Sequence, residues 1–234
     1  MILEKLPAVL LIITGGYWSV AYGKLQRQAG VVATLVALVI YGGGGWTGLG
    51  MLGLFFGGSV WATSWKKDQK KKLVHDIWEQ QRSTRQVLAN GGVAALCGLV
   101  GIIFPAQAGW LMLAMAGAFS SAIGDTLSSE LGTLYGQKFF DVVSWRQGKR
   151  GENGVISFEG LGIGLLASGA IAGLFCIGQQ VTQPFFGIVL AGLLGNLTDS
   201  WLGATLERQG VIGNNAVNFL NTLIGAAMAV VLAY

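Results

Sequence analysis

The chain has 234 residues, 53% of them hydrophobic and only 11% charged, where a soluble domain carries about 25% charged residues. Fifteen Lys and Arg against eleven Asp and Glu leave a net charge of +4, and glycine supplies 38 residues. A soluble core of this size cannot hide so much apolar side chain, and the composition excludes a disordered chain, a collagen-like repeat and a disulfide scaffold. The sequence reads as one integral membrane domain over 1–234, an all-α polytopic bundle of transmembrane helices.

A bilayer core of about 30 Å takes about 20 apolar residues per helix. Apolar runs of this kind fall at 3–22, 29–44, 47–63, 87–104, 108–128, 155–178, 184–204 and 214–233. Several are short or broken by glycine, so seven to eight spans are expected. The first run has no small-x-small cleavage site and reads as a span. Gly42 to Gly45 mark a tight hairpin between the second and third runs, and Pro105 and Pro184 punctuate two other turns. Gly48-Leu49-Gly50-Met51-Leu52-Gly53 fits G-x-G-x-x-G, but no strand precedes it, so helix packing is the expectation. Cys97 and Cys176 lie inside apolar runs as small buried thiols.

Charge placement orients the spans. Every Lys and Arg except Lys5 falls in loops that alternate to one side, whereas Gly42–Trp46, Pro105–Ala108 and Gln179–Gln183 carry no cation. By the positive-inside rule the basic side is cytoplasmic, in a bacterial inner or photosynthetic membrane. The segment 64–86 is the most polar stretch. Its Lys-rich run is expected to anchor to anionic lipid headgroups. Leu73, Val74, Ile77 and Trp78 supply the apolar stripe of an interfacial helix, on which His75, the single histidine, faces headgroups. Topology accounts for the basic run, so no nucleic-acid surface is expected. A second basic loop, 135–153, holds Lys138, Arg146, Lys149 and Arg150.

A helix-pair repeat runs through the C-terminal part. Asn90-Gly91-Gly92, Asn153-Gly154 and Asn214-Asn215-Ala216-Val217-Asn218 open the fourth, sixth and eighth runs on the basic side. The fifth and seventh runs end there in Gly124-Asp125-Thr126-Leu127-Ser128-Ser129-Glu130 and Asp199-Ser200. Three helix N-termini at one face would offer free N–H groups and partial positive charge to phosphate. Between them stand carboxylates at membrane depth, where an unpaired charge is costly. Asp125 and Glu130, five residues apart, lie about 140° apart on a regular helix, so they converge only if the helix breaks or each meets a different neighbour. Asp199 is the repeat partner of Asp125, and two hard carboxylates with water and phosphate oxygens suit Mg²⁺. Ion pairing with loop cations is the plain alternative for each acid, including Glu159 and Glu207. Helix–helix hydrogen bonding is the alternative for the asparagines, Asn196 and Asn221 above all. The 135–153 loop, feeding the Asn153 turn, reads as a phosphate clamp or as topology charge alone.

These blocks resemble one membrane family, which includes the phytyl-phosphate kinases of photosynthetic organisms and the mammalian transmembrane protein 19. The resemblance rests on Arg85–Gly92, Gly124–Gly132, Gly151–Ser157, Asp199–Glu207 and Asn214–Leu220 and covers nearly the whole chain. The middle of the second block, Leu127-Ser128, departs from the pattern, while its polar ends are kept. The resemblance implies phosphoryl transfer from a nucleoside triphosphate, CTP, to phytyl phosphate or a related prenyl monophosphate, giving the diphosphate for tocopherol- and prenylquinone-type synthesis. On that reading Asp125, Glu130 and Asp199 are the catalytic and Mg²⁺-binding carboxylates. Asn90, Arg85, Lys149, Arg150, Asn153, Ser157, Asn215 and Asn218 hold phosphates, and an apolar groove between spans takes the prenyl tail. A phosphate acceptor is already anionic and needs no strong base, so catalysis is positioning and charge neutralisation. Two alternatives stay open. One is a transporter, which also shows repeats and intramembrane acids. The other is a nucleotide-dependent transferase making a CDP-lipid, whose D-x-x-D-G pattern is absent. Oligomeric state, including a homo-oligomer, is left open.

Overall fold

The computed structural model describes residues 2–74 and 81–233. Residues 75–80, which carry His75, Ile77 and Trp78, lie outside them. The chain forms α1 (Ile2–Ala21), α2 (Arg27–Ser64), a short α3 (Lys67–Leu73), α4 (Thr84–Ile103), α5 (Ala108–Tyr135), β1 (Phe139–Asp141), β2 (Val155–Ser157), α6 (Phe158–Gln179), α7 (Phe185–Leu202) and α8 (Asn214–Ala233). Among the described residues six helices are long and apolar enough to cross a membrane, and Lys5–Ala21 is a shorter apolar helix.

One of the six, α2, is folded in two. Gly45 adopts φ 57°, ψ −152°, a region open essentially to glycine alone. A Cβ on Gly48 would lie 3.2 Å from the Ile40 carbonyl oxygen. At the other end Lys24 Nζ donates to Ser64 Oγ at 3.2 Å. An unbroken helix of 38 residues would hold its ends about 57 Å apart, so the chain reverses at Gly45. With α2 doubled and α1 counted, eight apolar segments alternate in direction, and the glycine hairpin stands where the sequence put it.

The middle of α5 is buried on all sides from Leu111 to Gly124, among α2, α4, α6, α7 and α8. Lipid provides no hydrophobic drive between helices, so small residues and polar contacts hold this centre. A Cβ on Gly117 would meet the Gly225 carbonyl oxygen at 2.2 Å, and one on Gly164 would meet the Gly124 carbonyl at 2.8 Å. Ser120 Oγ donates to the Ile188 carbonyl at 3.0 Å, and Ser168 Oγ to that of Ser120 at 3.1 Å. Within G-x-G-x-x-G, Gly48 packs against Met115 and Ile40 and Gly50 against Leu174, whereas Gly53 faces open space.

Three expectations need correction. The fourth span starts at Thr84, not 87, because Ser83 and Gln86 form a capping box: Ser83 N–H donates to Gln86 Oε1 at 2.8 Å, and Gln86 N–H donates to Ser83 Oγ at 3.4 Å. Asn90 therefore sits in the second turn, its amide spent on the Gln86 carbonyl at 3.0 Å. The sixth span does not open at Asn153. Residues 155–157 pair antiparallel with β1, Phe139 opposite Ser157, and α6 begins at Phe158. The fifth helix runs on to Tyr135, which leaves Asp125 ten residues inside it. Only α8 carries its asparagine at the first position.

The basic loops meet at one end of the bundle. Leu25 bridges to Arg82, Trp65 Nε1 donates to Tyr135 OH at 2.8 Å, and Arg208 pairs with Asp141 at 2.8 Å. At the opposite end Gln179 Nε2 donates to Thr47 Oγ1 and Gln183 Nε2 to the Ala233 carbonyl. Gly117→Val, which drives a side chain into the α8 backbone, should cost about 2 kcal/mol or more of stability. Thermal unfolding in detergent reads this against Gly57→Val, where a Cβ meets nothing within 4 Å.

Candidate functional site

Two adjoining polar cavities open at the basic end. The first, of about 370 Å³, is walled by α5, the β1–β2 loop, β2 and the end of α7, and contains Asp125, Glu130, Asn153, Ser157, Asp199 and Glu207. The second, of about 860 Å³, holds Arg82, Arg85, Asn90, Asn215 and Asn218. Glu130 and Asn214 line both and form the wall between them.

Asp125 on α5 and Asp199 on α7 face each other with their carboxyl groups in hydrogen-bonding reach, and Glu207 is close enough to act on both. The repeat brings its equivalent acids together. Like charges at this distance need a proton or a cation between them. Asp199 is held by Asn221, whose Nδ2 donates to Oδ1 at 3.1 Å. Asn221 is itself fully buried, and its Oδ1 accepts from Ser121 Oγ. Just past Asp199, residues Gly203–Glu207 widen into a π turn, a distortion frequent at functional sites. It brings Glu207 back to the cavity, beside Asn153 and Asn214. Gly154, at φ +78°, allows the 151–157 loop to rest on this turn, since a Cβ there would collide with Ala204.

The three carboxylates expected to share a metal do not assemble. The helix stays regular through Glu130, so its side chain points away from Asp125 and pairs with Lys70. Lys70 is fully buried and also donates to the Ala62 and Thr63 carbonyls at 2.8 and 3.0 Å, closing the C-terminus of α2. Among the described residues no three of His, Cys, Asp and Glu come together as a metal cage. Mg²⁺ does not require one, being held by one or two carboxylates with substrate phosphates and water. The Asp125–Asp199 pair, opening into a polar cavity, fits that donor set.

Besides Asn90, four expected phosphate ligands have other partners. Lys149 is exposed and lies 4.0 Å from Glu152. Arg150 donates to the Gly136 carbonyl at 3.0 Å and stacks over Phe139 at 4.7 Å, which ties the loop to the end of α5. Ser157 reaches the cavity, but its Oγ accepts from Gly160 N–H at 3.1 Å as the cap of α6. Asn218 Nδ2 donates to Asn214 Oδ1 at 3.1 Å on the rim. The sequence offers Asn221 only as an interhelical amide, Asn214 only as part of the last block, and Arg82 and Lys70 only as cations of the basic side. Burial pushes the Arg82 guanidinium below its ordinary pKa, with Glu130 acting in the opposite sense. Its backbone is pinned by Gln26 N–H at 3.1 Å and by the Lys24 carbonyl at 3.0 Å.

The loop over the first cavity has its own electrostatic fastening. The Ser144 N–H and hydroxyl, Arg208 and the Val143 N–H hold the Asp141 carboxyl down to about 2. A carboxylate lowered on folding stabilises above its unfolded value and loses that contribution as pH falls through the folded one. Asp141→Asn should therefore make 139–157 more sensitive to protease at pH 7, with the difference from wild type vanishing as pH falls from about 4 to about 2. Lys70→Met strands Glu130 and should cost about 3 kcal/mol. The double variant Lys70→Met, Glu130→Gln should recover part of that loss in a thermal unfolding assay.

The comparisons with known proteins agree with this architecture. The family model described as integral membrane protein DUF92 matches residues 10–226. An uncharacterized membrane protein of Synechocystis sp. (sll0875) is 32% identical over 85% of this chain and 78% of its own length. Protein VTE6, chloroplastic, of Arabidopsis thaliana is 30% identical over 73% of this chain and 54% of its own, so the chain spans about half of that relative. An uncharacterized membrane protein of Methanocaldococcus jannaschii (MJ0933) is 31% identical over 70% of this chain and 67% of its own. No solved structure matches. The chain belongs to the DUF92 family of integral membrane proteins.

Proposed function

We propose that this chain transfers a phosphoryl group from a nucleoside triphosphate, CTP by the block resemblance, to phytyl phosphate or a related prenyl monophosphate. The products are the prenyl diphosphate and the nucleoside diphosphate. The observation that carries the reading is the facing Asp125–Asp199 pair in a polar cavity that adjoins a second, cation-lined one. Phosphoryl transfer is mostly positioning and charge neutralisation, and it needs two polyanions brought together. Asp125 and Asp199 would hold Mg²⁺, which would offset charge on the phosphoryl oxygens. Asn221 keeps Asp199 oriented for that task. In the second cavity Arg82 and Arg85 offer cationic guanidinium groups to the acceptor phosphate, with Asn90, Asn215 and Asn218 beside them. An oxygen of the acceptor monophosphate attacks the γ-phosphorus. The new P–O bond forms as the bond to the bridging oxygen breaks, and the nucleoside diphosphate takes that electron pair.

The cation distribution supports a cytoplasmic position for this end of the bundle, with the Lys-rich segment 64–86 lying against anionic lipid headgroups. A carrier needs a polar path from the other side as well, and Phe104–Ala108 and Gln179–Pro184 at that end hold no charged residue. Purified protein with Mg²⁺, labelled CTP and phytyl phosphate should yield labelled diphosphate. Asp125→Asn and Asp199→Asn should each lower kcat by about a hundredfold or more with helix content unchanged, and Asn221→Ala by less. Absence of labelled product with every nucleotide and chain length would overturn the reading, as would near-full turnover by either Asp variant.

A further inference from the structure

Beside the acid-bearing cavities lies a third of different character. About 310 Å³ in volume, it is lined by α1, both limbs of α2 and α4. Its walls are mostly carbon: Ile12, Ala37 and Phe55 are buried, whereas Leu11, Gly15 and Gly53 are exposed along its open side. Its polar side chains include Arg82, Gln86 and Asn90, and the same three line the large polar cavity. The two spaces therefore meet at those side chains. Arg82 sits over the Phe55 and Phe56 rings at 6.0 and 5.9 Å, and the nearby Glu130 carboxylate, which acts on it electrostatically, is itself paired with Lys70. A fixed cation between an apolar slot and a polar chamber calls for an amphiphile with an anionic head. The volume lies at the small end of ligand cavities, which suits one slender chain and not the two acyl chains of a bilayer phospholipid. The rival groove of about 710 Å³ along α2, α4 and α8 is walled by Leu35, Leu88, Leu96 and Leu99, all exposed on the lipid-facing surface.

Two glycines mark the slot further. Gly16 and Gly30 are packing residues, since a Cβ on them would strike Thr34 and Val20. Gly15 and Gly53 also lie along this stretch and line the cavity, yet a Cβ on either meets nothing within 4 Å. Both are exposed along the cavity, so neither is a glycine for the sake of a helix contact, and a side chain added there has room to project.

Resting on the kinase reading, we infer that this slot seats the hydrocarbon chain of the monophosphate acceptor. Arg82 holds the phosphate at its mouth, and Gly15 and Gly53 set the length of chain admitted. Binding without nucleotide tests this, in detergent, with geranyl, farnesyl and geranylgeranyl monophosphate and the matching alcohols as probes. The wild type should bind geranylgeranyl monophosphate more tightly than geranylgeraniol, and Arg82→Gln should remove that preference. Gly53→Phe should weaken the geranylgeranyl compound by about tenfold and leave the geranyl compound unchanged, with Gly15→Phe doing the same from the opposite wall. An unchanged length profile in both variants overturns the inference, as does equal loss at every length in variants with wild-type melting. Turnover separates the two readings. The expected binding pattern without any phosphoryl transfer defeats the kinase alone, whereas transfer with an unaltered length preference in Gly53→Phe defeats the slot alone.

Discussion

Two carboxylates held against each other inside an apolar bundle are the costliest element of this structure, and much of the basic half is organised around them. Desolvating one acid in such a medium is expensive, and a second beside it adds repulsion. The helices that carry them pack closely because Gly192 and Gly195 on α7 leave room for Ser120 and Ser121 of α5, while Gly124 and Gly164 let α5 and α6 meet backbone to backbone. Asn221 and Ser121 then spend their hydrogen bonds fixing one of the two. None of this improves packing over an all-apolar interior. It is explained if the pair is kept for a cation that arrives with its phosphates.

The neighbouring acid shows how burial is otherwise managed. Glu130 is neutralised by Lys70, a fully buried lysine that also closes the end of α2. One ion pair thus ties the Lys-rich segment, the second transmembrane hairpin and the central helix together, on the partition between the two polar cavities. Among the described residues no lysine pairs with Asp125 or Asp199, and that contrast is the physical reason for assigning them a different role.

Much of this was legible from the chain. The composition gave the fold class, the run of four glycines the reversal in α2, and the repeated Asn and Asp blocks the pairing of Asp125 with Asp199. The helix starts were less readable. The capping box of Ser83 and Gln86 is hidden in a segment whose charge suggests a lipid anchor, which displaced Asn90 from a helix end to a helix interior. Strands of three residues, Phe139–Asp141 and Val155–Ser157, are too short to leave a pattern, so Asn153 was placed at a helix N-terminus it does not occupy. Lys70 cannot be told from Lys67, Lys71 or Lys72 by local sequence. Only tertiary packing selects which of them enters the protein. Asn221 reads as one more interhelical amide until Asp199 is placed beside it.

The reversal at Gly45 also bears on how the molecule is made. The two limbs of α2 are joined at the far side of the bundle by a single residue, and that turn offers neither charge nor a hydrophilic tether to the aqueous phase beyond. Neither limb can cross first and wait for the other, because the turn would then be dragged through hydrocarbon with its backbone half satisfied. Crossing as a pair avoids that cost. The two limbs that line the carbon-walled slot then arrive as one element.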